Sequence, residues 1–388
     1  EAEVSDTHTI RQEPSFTGAI PFNADGGYMP GLDGLRAISI LIVVIAHVGF
    51  ENLIPGGLGV TVFFFVSGFL ITRILVAEQN QHAGAINLPG FYLRRFLRLA
   101  PALLVFLLGS WLMLAPFGVK VDAGHVAAAV FYFINYYDVA REWFGWSERT
   151  IPWGHLWSLA VEEHFYLLFP AALALFGKTH QARVRLIVIS IVVCALWRAY
   201  AVLGLGLPHE HTYYTTDSRL ENIAWGCLLA ILLDGAPRTK ARLAWLVGWH
   251  WVVLALGAIL ATLVYRDEIF RETLRYSIQG AALFLLVLNL YALRSLRFSI
   301  DLLELKPMRW IGRLSYSLYL WHVPIIWIVR QVMLGDANSL ERLSPLGMVI
   351  AVALSFACAC ASYYAVERPL FGLRKRFGGK PVETLATA

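Results

Sequence analysis

Long runs of apolar residues recur along this chain and constrain its fold more than any other feature. A helix needs roughly 20 apolar residues to cross the hydrocarbon core of a bilayer. Ten runs of about that length occupy 33–51, 56–77, 99–118, 155–176, 186–204, 219–234, 243–264, 275–293, 310–334 and 344–366. The stretch 124–139 is also apolar, but it is shorter and contains His125, Asn135 and Asp138. The pattern predicts an all-α, polytopic transmembrane helix bundle of about ten spans, with 124–139 as one short re-entrant or surface helix.

The composition supports a membrane protein and argues against a soluble domain and against a nucleic-acid-binding protein. Of the 388 residues, 58% are hydrophobic and 15% are charged, whereas a soluble domain carries about 25% charged residues. The net charge of +5 does not indicate a nucleic-acid partner, because the basic residues lie in short loops between apolar runs. The cysteines lie inside apolar runs, without the spacing of metal ligands or disulfides, so we expect buried packing residues and no metal site. They are Cys194, Cys227, Cys358 and Cys360.

The basic residues also predict the orientation of the bundle. If the N-terminus is inside and 124–139 does not cross, every second loop is rich in Lys and Arg, as cytoplasmic loops are. We therefore expect a multi-pass protein of the bacterial inner (plasma) membrane with both termini cytoplasmic. Residues 1–30 lack the apolar core of a signal peptide, so we expect a disordered cytoplasmic tail there. The membrane domain is predicted at 31–370, and a basic cytoplasmic tail at 371–388.

Two polar residues in the first run are candidate functional groups, because ionisable side chains inside a bilayer are costly. Arg36 and His47 are eleven residues apart, close to three turns, so a regular helix places them on one face about 16 Å apart. Histidine can take a proton from a hydroxyl at neutral pH. Two other interpretations stay open, a core histidine bonded to a neighbouring helix and an arginine that anchors the span at the interface.

The second and third runs carry candidates for binding an extended ligand. Ser67 and Gly68 lie in a glycine-rich segment, which fits either close helix packing or a ligand lying along the helix. Arg95 and Arg98 are one helical turn apart, so they can clamp phosphates, as guanidinium groups do well. The alternative for the arginines is ordinary anchoring at the cytoplasmic surface.

Further polar groups lie in later runs. Of the adjacent Glu162 and Glu163, we expect only Glu162 to point into the bundle, where it orients His47 or binds an acceptor; the alternative is a carboxylate at the rim. Asp217 and Arg219 are expected to pair with each other, or Arg219 to meet Glu162. The aromatic segment near Pro324 fits a sugar site as well as bundle packing. It contains Tyr316, Tyr319, Trp321 and His322.

Taken together, these motifs resemble the acyltransferase-3 family of integral membrane O-acyltransferases. The matching segments appear in the family's order from about Gly31 to Leu370, and the ordered set is far more specific than any one of them. They are LDGLRAISILIVVIAH, GVTVFFFVSGFLI, FYLRRFLRLAP, WSLAVEEHFYLLFP, SYSLYLWHVP and ERPL.

The resemblance implies acyl-CoA as the donor, most commonly acetyl-CoA, and a hydroxyl of a glycan or glycoside as the acceptor. It implies that Arg36 and His47 match the family's basic residue and histidine, Arg95 and Arg98 its Arg-x-x-Arg pair, and Glu162 its carboxylate. Ser67 and Gly68 match its serine-glycine pair.

The chain differs from the family pattern in two ways, and each difference leads to an expectation. Many members have an acidic residue where this chain has Thr61, which puts a polar role there in doubt. Some members carry an extra hydrolase-like domain, whereas this chain ends about twenty residues past its last helix, so we expect transfer to be completed within the membrane domain.

The sequence therefore predicts a membrane-embedded O-acyltransferase that moves an acyl group from cytoplasmic acyl-CoA to a cell-envelope or secreted glycan. The alternative is a transporter or flippase in which His and Glu side chains inside the membrane form a proton relay. Transporters often contain internal repeats, and none is evident here.

Overall fold

The computed structural model describes residues 28–51, 53–145, 151–339 and 341–375. The predicted tail 1–30, apart from its last three residues, lies outside them, as does most of the predicted tail 371–388. The described residues form helices and no strands. The helices are α1 Leu32–Ile45, α2 Gly56–Gln81, α3 Leu88–Leu114, α4 Ala123–Val130, α5 Ile134–Trp143, α6 Trp157–Phe176, α7 His180–Leu203, α8 His209–Tyr214, α9 Thr216–Asp234, α10 Pro237–Leu243, α11 Trp249–Val264, α12 Glu268–Thr273, α13 Arg275–Ala292, α14 Arg297–Leu303, α15 Lys306–Leu334, α16 Pro345–Ser362 and α17 Arg368–Lys375.

Helices long and apolar enough to cross a membrane confirm the predicted fold class. Within the described ranges there are 7, or up to 9 if each of two bent helix pairs is one span. The bent pairs are Arg238–Leu246 with Trp249–Val264, at 64°, and Arg275–Ala292 with Arg294–Leu303, at 90°. The remaining predicted run, 219–234, corresponds to α9, whose 19 residues include Asp217, Arg219 and Glu221 near its start. Arg219 and Glu221 are buried inside the bundle, and the charges on this helix explain why the count falls short of ten.

Two helix boundaries differ from the predicted runs. Helix α3 begins at Leu88 rather than near 99, because Asn87 caps it by accepting a hydrogen bond from the Gly90 amide at 2.9 Å and Pro89 suits a first turn. Arg95 and Arg98 consequently lie within the helix and not in a loop. The predicted run 243–264 is broken, and its straight part begins only at Trp249.

The stretch 124–139 does not cross as one helix, in agreement with the prediction. It forms the short helices α4 and α5, of 8 and 10 residues, each too short to span a bilayer. Tyr132 between them has a φ of 60°, so the chain reverses there. Asp122 caps α4 by accepting a hydrogen bond from the His125 amide at 2.8 Å.

Glycines set how closely the central helices approach. A Cβ added at Gly68 on α2 would lie 2.1 Å from the backbone oxygen of Ile223 on α9, and one at Gly226 would lie 1.9 Å from that of Phe65. A Cβ at Gly312 on α15 would lie 2.0 Å from the backbone oxygen of Asp33, at the start of α1. Backbones that touch in this way leave α1, α2, α9 and α15 as a tightly packed centre, with α6 and α3 beside it.

The start of α1 is fixed by a carboxylate in the connection before α15. Glu304 accepts hydrogen bonds from the Tyr28 hydroxyl at 2.7 Å and from the Gly31 amide at 2.6 Å. Arg309 lies 3.7 Å from the same carboxylate. These contacts hold the chain where α1 enters the bundle, one turn before Arg36.

Candidate active site

A pocket inside the bundle brings together seven of the residues predicted from the sequence. Its wall comes from α1, α2, α3, α6 and α15, and the side of α2 that faces it carries Ser67, Leu70, Ile71 and Ile74 at helical spacing. The polar lining residues are Arg36, Ser67, Arg95, Arg98, Ser158, Glu162, Tyr166, Ser315, Tyr316 and Tyr319. Three guanidinium groups and one carboxylate line it.

Hydrogen bonds order the middle of this pocket. The Ser67 hydroxyl bonds the Tyr166 hydroxyl and also faces the Glu162 carboxylate. The Arg95 guanidinium lies over the Tyr166 ring, 3.1 Å from its centroid. Ser67, Glu162 and Tyr166 therefore form a polar band across an otherwise apolar wall.

Both adjacent glutamates turn inward, and the expectation that only Glu162 does so is wrong. Glu163 forms an ion pair with Arg95, with its carboxylate 2.7 Å from one guanidinium nitrogen and 2.8 Å from another. Two neighbouring side chains on a helix can both reach α3 because α6 crosses it at this level. Arg95 is thus already paired, and Arg36 also forms an ion pair, 3.8 Å from Asp33.

His47 is not a lining residue of the pocket. It lies in a π turn, Ala46–Phe50, that comes after α1 and contains Gly49 at a φ of 132°. Nδ1 of His47 is 3.1 Å from Nε2 of His322. The partner of His47 is therefore His322, and not Glu162 as expected.

Tyr319 forms the wall between the pocket and the histidines. Its hydroxyl donates a hydrogen bond of 2.6 Å to the His155 carbonyl and shares one of 2.6 Å with the Ser158 hydroxyl. Its ring lies 5.5 Å from His322 and 5.6 Å from His155. His155 is the first residue of a predicted run, but the sequence analysis did not identify it as a candidate site residue. Its position just before the Trp-Ser-Leu segment is the sequence feature that could have identified it.

Asp217 and Arg219 do not pair, and neither predicted partner of Arg219 is found. Residues two apart on a helix point in different directions. Asp217 accepts a hydrogen bond from the Tyr136 hydroxyl at 2.7 Å and lies 3.0 Å from His211. It therefore ties the start of α9 to α5 and α8.

Arg219 is fully buried in a cage of aromatic rings. Its guanidinium lies 3.8 Å from the Tyr276 ring centroid and donates to the Thr61 hydroxyl at 3.3 Å. Phe64, Trp157 and Tyr213 complete the cage. Thr61 therefore has a polar contact, although it cannot neutralise the charge of Arg219 as an acidic residue would.

The remaining predicted residues divide between the pocket and the packing. Tyr316 lines the pocket, and its hydroxyl donates to the Leu99 carbonyl at 3.0 Å. Trp321 packs edge-on against Phe106, with ring centroids 5.4 Å apart. Gly68 faces α9 and not the pocket. Trp321 and Gly68 thus have packing contacts in place of the expected ligand contacts.

A polar pair between α4 and α5 lies outside the spanning helices. His125 Nε2 is 3.5 Å from Asp138 Oδ1, and the His125 ring packs against Trp153. Burial raises the pKa of Asp138 to about 7 and lowers the pKa of His125 to about 4. Both groups are therefore shifted toward their neutral forms. Within the described residues, no cluster of three or more His, Cys, Asp or Glu is placed to hold a metal ion.

The helix bundle and its arginine-lined internal pocket define a polytopic membrane protein. Comparison with known families adds that this is a membrane acyltransferase domain. The family model described as "Acyltransferase domain" matches residues 29–364, which confirms the predicted class. The chain belongs to the acyltransferase-3 family.

Relatives with assigned names point in the same direction. The O-acetyltransferase OatA of Staphylococcus aureus strain NCTC 8325 is 31% identical over 361 residues, which are 88% of this chain and 57% of the relative. The protein of the same name from strain COL matches to the same extent. The chain therefore spans little more than half the length of these relatives. No solved structure matches the chain significantly.

Proposed function

We propose that the protein is an O-acetyltransferase that moves an acetyl group from acetyl-CoA to a hydroxyl of a cell-envelope or secreted glycan. The observation that carries this proposal is the pocket lined by Arg36, Arg95 and Arg98, which ends at Tyr319 beside the His47–His322 pair. Family membership and the names of the relatives support it. No contact among the described residues favours a transporter.

Acyl-CoA enters this site as an anion with a long, thin arm. Its phosphates meet Arg98 and Arg95, with Arg95 exchanging part of its pairing with Glu163 for the phosphate. The arm follows the side of α2 that carries Ser67, Leu70 and Ile74. The glycines of α2 do not form this path, because Gly68 is used for packing against α9.

The chemical step is a direct transfer to the acceptor hydroxyl. His47 takes the hydroxyl proton while the acceptor oxygen forms a bond to the acyl carbon. The carbon–sulfur bond breaks, the sulfur leaves with the electron pair, and His47 returns the proton to give the free thiol of CoA. General-base catalysis of this kind contributes typically 10²–10⁴-fold. For the thioester to reach His47, Tyr319 has to turn aside.

The proposed orientation places the start of α1 in the cytoplasm of a bacterium and His47 near the outer face of its inner membrane. The support comes from the alternation of basic loops along the sequence. His47 is exposed, which suits contact with an acceptor that arrives from the far side.

The test is mass spectrometry of de-lipidated envelope glycans from cells that carry wild type, His47→Ala or His82→Ala at matched membrane levels. His82 is exposed at the far end of α2 and serves as the matched control. We expect one acetyl increment on a glycan with wild type and His82→Ala, and none with His47→Ala. Full acetylation with a correctly inserted His47→Ala would refute the proposal.

Binding of the donor is tested separately with purified protein. Acetyl-CoA should raise the thermal transition of wild type, as any ligand of the folded state does, and should raise that of Arg98→Ala much less. A transporter without a CoA site would show no shift with either protein.

A further inference from the structure

The hydrogen bonds of His322 fix where its ring proton lies. His322 is fully buried on α15, and its Nδ1 is 2.8 Å from the Tyr319 carbonyl oxygen and 3.2 Å from that of Leu318. A carbonyl oxygen only accepts hydrogen bonds. Nδ1 of His322 therefore carries a proton and donates it to the backbone of its own helix.

The opposite nitrogen of His322 must then accept. A neutral imidazole has one N–H, and the contacts described for His322 include no carboxylate that would favour the charged form at a buried position. Nε2 of His322 is 3.1 Å from Nδ1 of His47. The proton in this bond therefore comes from His47, which leaves Nε2 of His47 without a proton.

The surroundings of His322 prevent its ring from turning over. His155 packs against it at right angles, with ring centroids 5.4 Å apart and an interplanar angle of 76°. Tyr319 lies 5.5 Å away on the same helix. His155 is in turn held by a contact of 3.1 Å between its Nε2 and the Leu320 carbonyl oxygen. A reversed ring would also place carbon atoms where the two backbone hydrogen bonds are.

We propose that His322 is a positioning residue for His47: it accepts the Nδ1 proton and so presents the basic Nε2 to the acceptor hydroxyl. This inference rests on the proposed function, in which His47 is the base. His47 is exposed and His322 is fully buried behind it, so Nε2 is the nitrogen that an acceptor can reach. A neutral imidazole here takes the place that a carboxylate occupies in the Ser-His-Asp arrangement.

The proton position is measured directly by ¹⁵N solid-state NMR of full-length protein with ring-labelled histidine, in lipid bilayers. The chain has 11 histidines, and the His47 signals are assigned as those absent from His47→Gln. We expect a neutral His47 with its proton on Nδ1 in wild type. A wild-type His47 with its proton on Nε2 would overturn the proposal, whatever the variants do.

Substitutions at His322 then separate positioning from packing. His322→Phe removes the acceptor nitrogen and leaves the His47 ring its contact with the Val43 backbone, so we expect the fraction of His47 protonated on Nε2 to rise and transfer to fall about 10²-fold, within the range of lost base catalysis. His322→Gln keeps an acceptor oxygen, so we expect the Nδ1 proton to stay and transfer to fall less than about tenfold. The exposed His250→Phe is the control and should change neither readout. An unchanged His47 proton in His322→Phe contradicts the proposal.

The NMR result does not depend on the reaction. If His47→Ala retains full transfer, the proposed function fails while the proton position remains a valid result. If His47 is essential but its proton lies on Nε2, the proposed function stands and the positioning role fails.

Discussion

The contact of α2 with α9 through Gly68 leads to the prediction that Gly68→Ala destabilises the bundle. The new Cβ would lie 2.1 Å from the Ile223 backbone oxygen, and ordinary contact begins at 3.4 Å. The difference, 3.4 − 2.1, means that the helices must separate by about 1.3 Å, because a helix backbone has no rotamer with which to yield. Overpacking of this kind costs typically 1–3 kcal/mol, and we expect a value near the upper end.

Gly226 gives an internal test of the same reasoning. Its added Cβ would lie 1.9 Å from the Phe65 backbone oxygen at the same helix crossing, so Gly226→Ala should also cost about 1–3 kcal/mol. Once one alanine has separated the helices, the second meets less resistance. The double variant should therefore lose less than the sum of the two, with a coupling of roughly 0.5–3 kcal/mol.

The assay is thermal unfolding of the purified protein in one detergent, followed by tryptophan fluorescence. Gly257→Ala is the matched control, because no heavy atom lies within 4 Å of the Cβ added there and helix propensity favours alanine by about 1 kcal/mol. We expect the transition to fall for Gly68→Ala and to stay or rise for Gly257→Ala. Equal transitions for the two variants, or unchanged stability with weakened acyl-CoA binding in Gly68→Ala, would show that Gly68 serves the donor and not this packing.

Three further predictions concern polar groups. Tyr319→Phe leaves the His155 carbonyl without its 2.6 Å hydrogen bond and should lower stability by about 1–3 kcal/mol in the same thermal assay, whereas an unchanged transition would contradict the closed position of Tyr319. Glu221→Gln leaves the charge of the fully buried Arg198, 3.1 Å away, without its carboxylate partner, and should lower the free energy of unfolding by roughly 3–5 kcal/mol. The control is Glu210→Gln, because no ion pair is described for Glu210. Burial raises the pKa of Asp138 to about 7 and lowers the pKa of His125 to about 4. The stability contributed by Asp138 is therefore lost as pH rises from about 4 to 7. The stability contributed by His125 is lost as pH falls from about 6.5 to 4. These opposed slopes nearly cancel in wild type, and Asp138→Asn should therefore become more stable as pH rises from 4 to 6.5; a flat profile for that variant would be inconsistent with the histidine shift.

Apolar periodicity was sufficient to predict the fold, because a bilayer leaves few choices for an uncharged run of about 20 residues. The prediction of spans was less accurate where a helix carries charged side chains that contact neighbouring helices. Helix α9 buries Arg219 among rings and Glu221 against Arg198, so its composition no longer resembles that of a lipid-facing span. Only the packed structure explains why those charges are tolerated.

The sequence predicted which residues line the candidate site better than it predicted which of them contact each other. Arg36, Ser67 and Glu162, which match three separate motifs of the family, line one pocket. The partner of His47 was missed, because helical spacing shows which residues of one helix share a face but not which residue of another helix packs against that face.

The side chain of Tyr319 has a consequence for the ion permeability of the membrane. A site that takes one substrate from each side of a bilayer is in danger of becoming a leak for protons and small ions. Here one aromatic ring, held by two hydrogen bonds of 2.6 Å, separates the pocket from the exposed histidine. In the proposed reaction Tyr319 turns aside only while the donor arm fills the pocket, so the ring closes the passage between turnovers and the arm closes it during one.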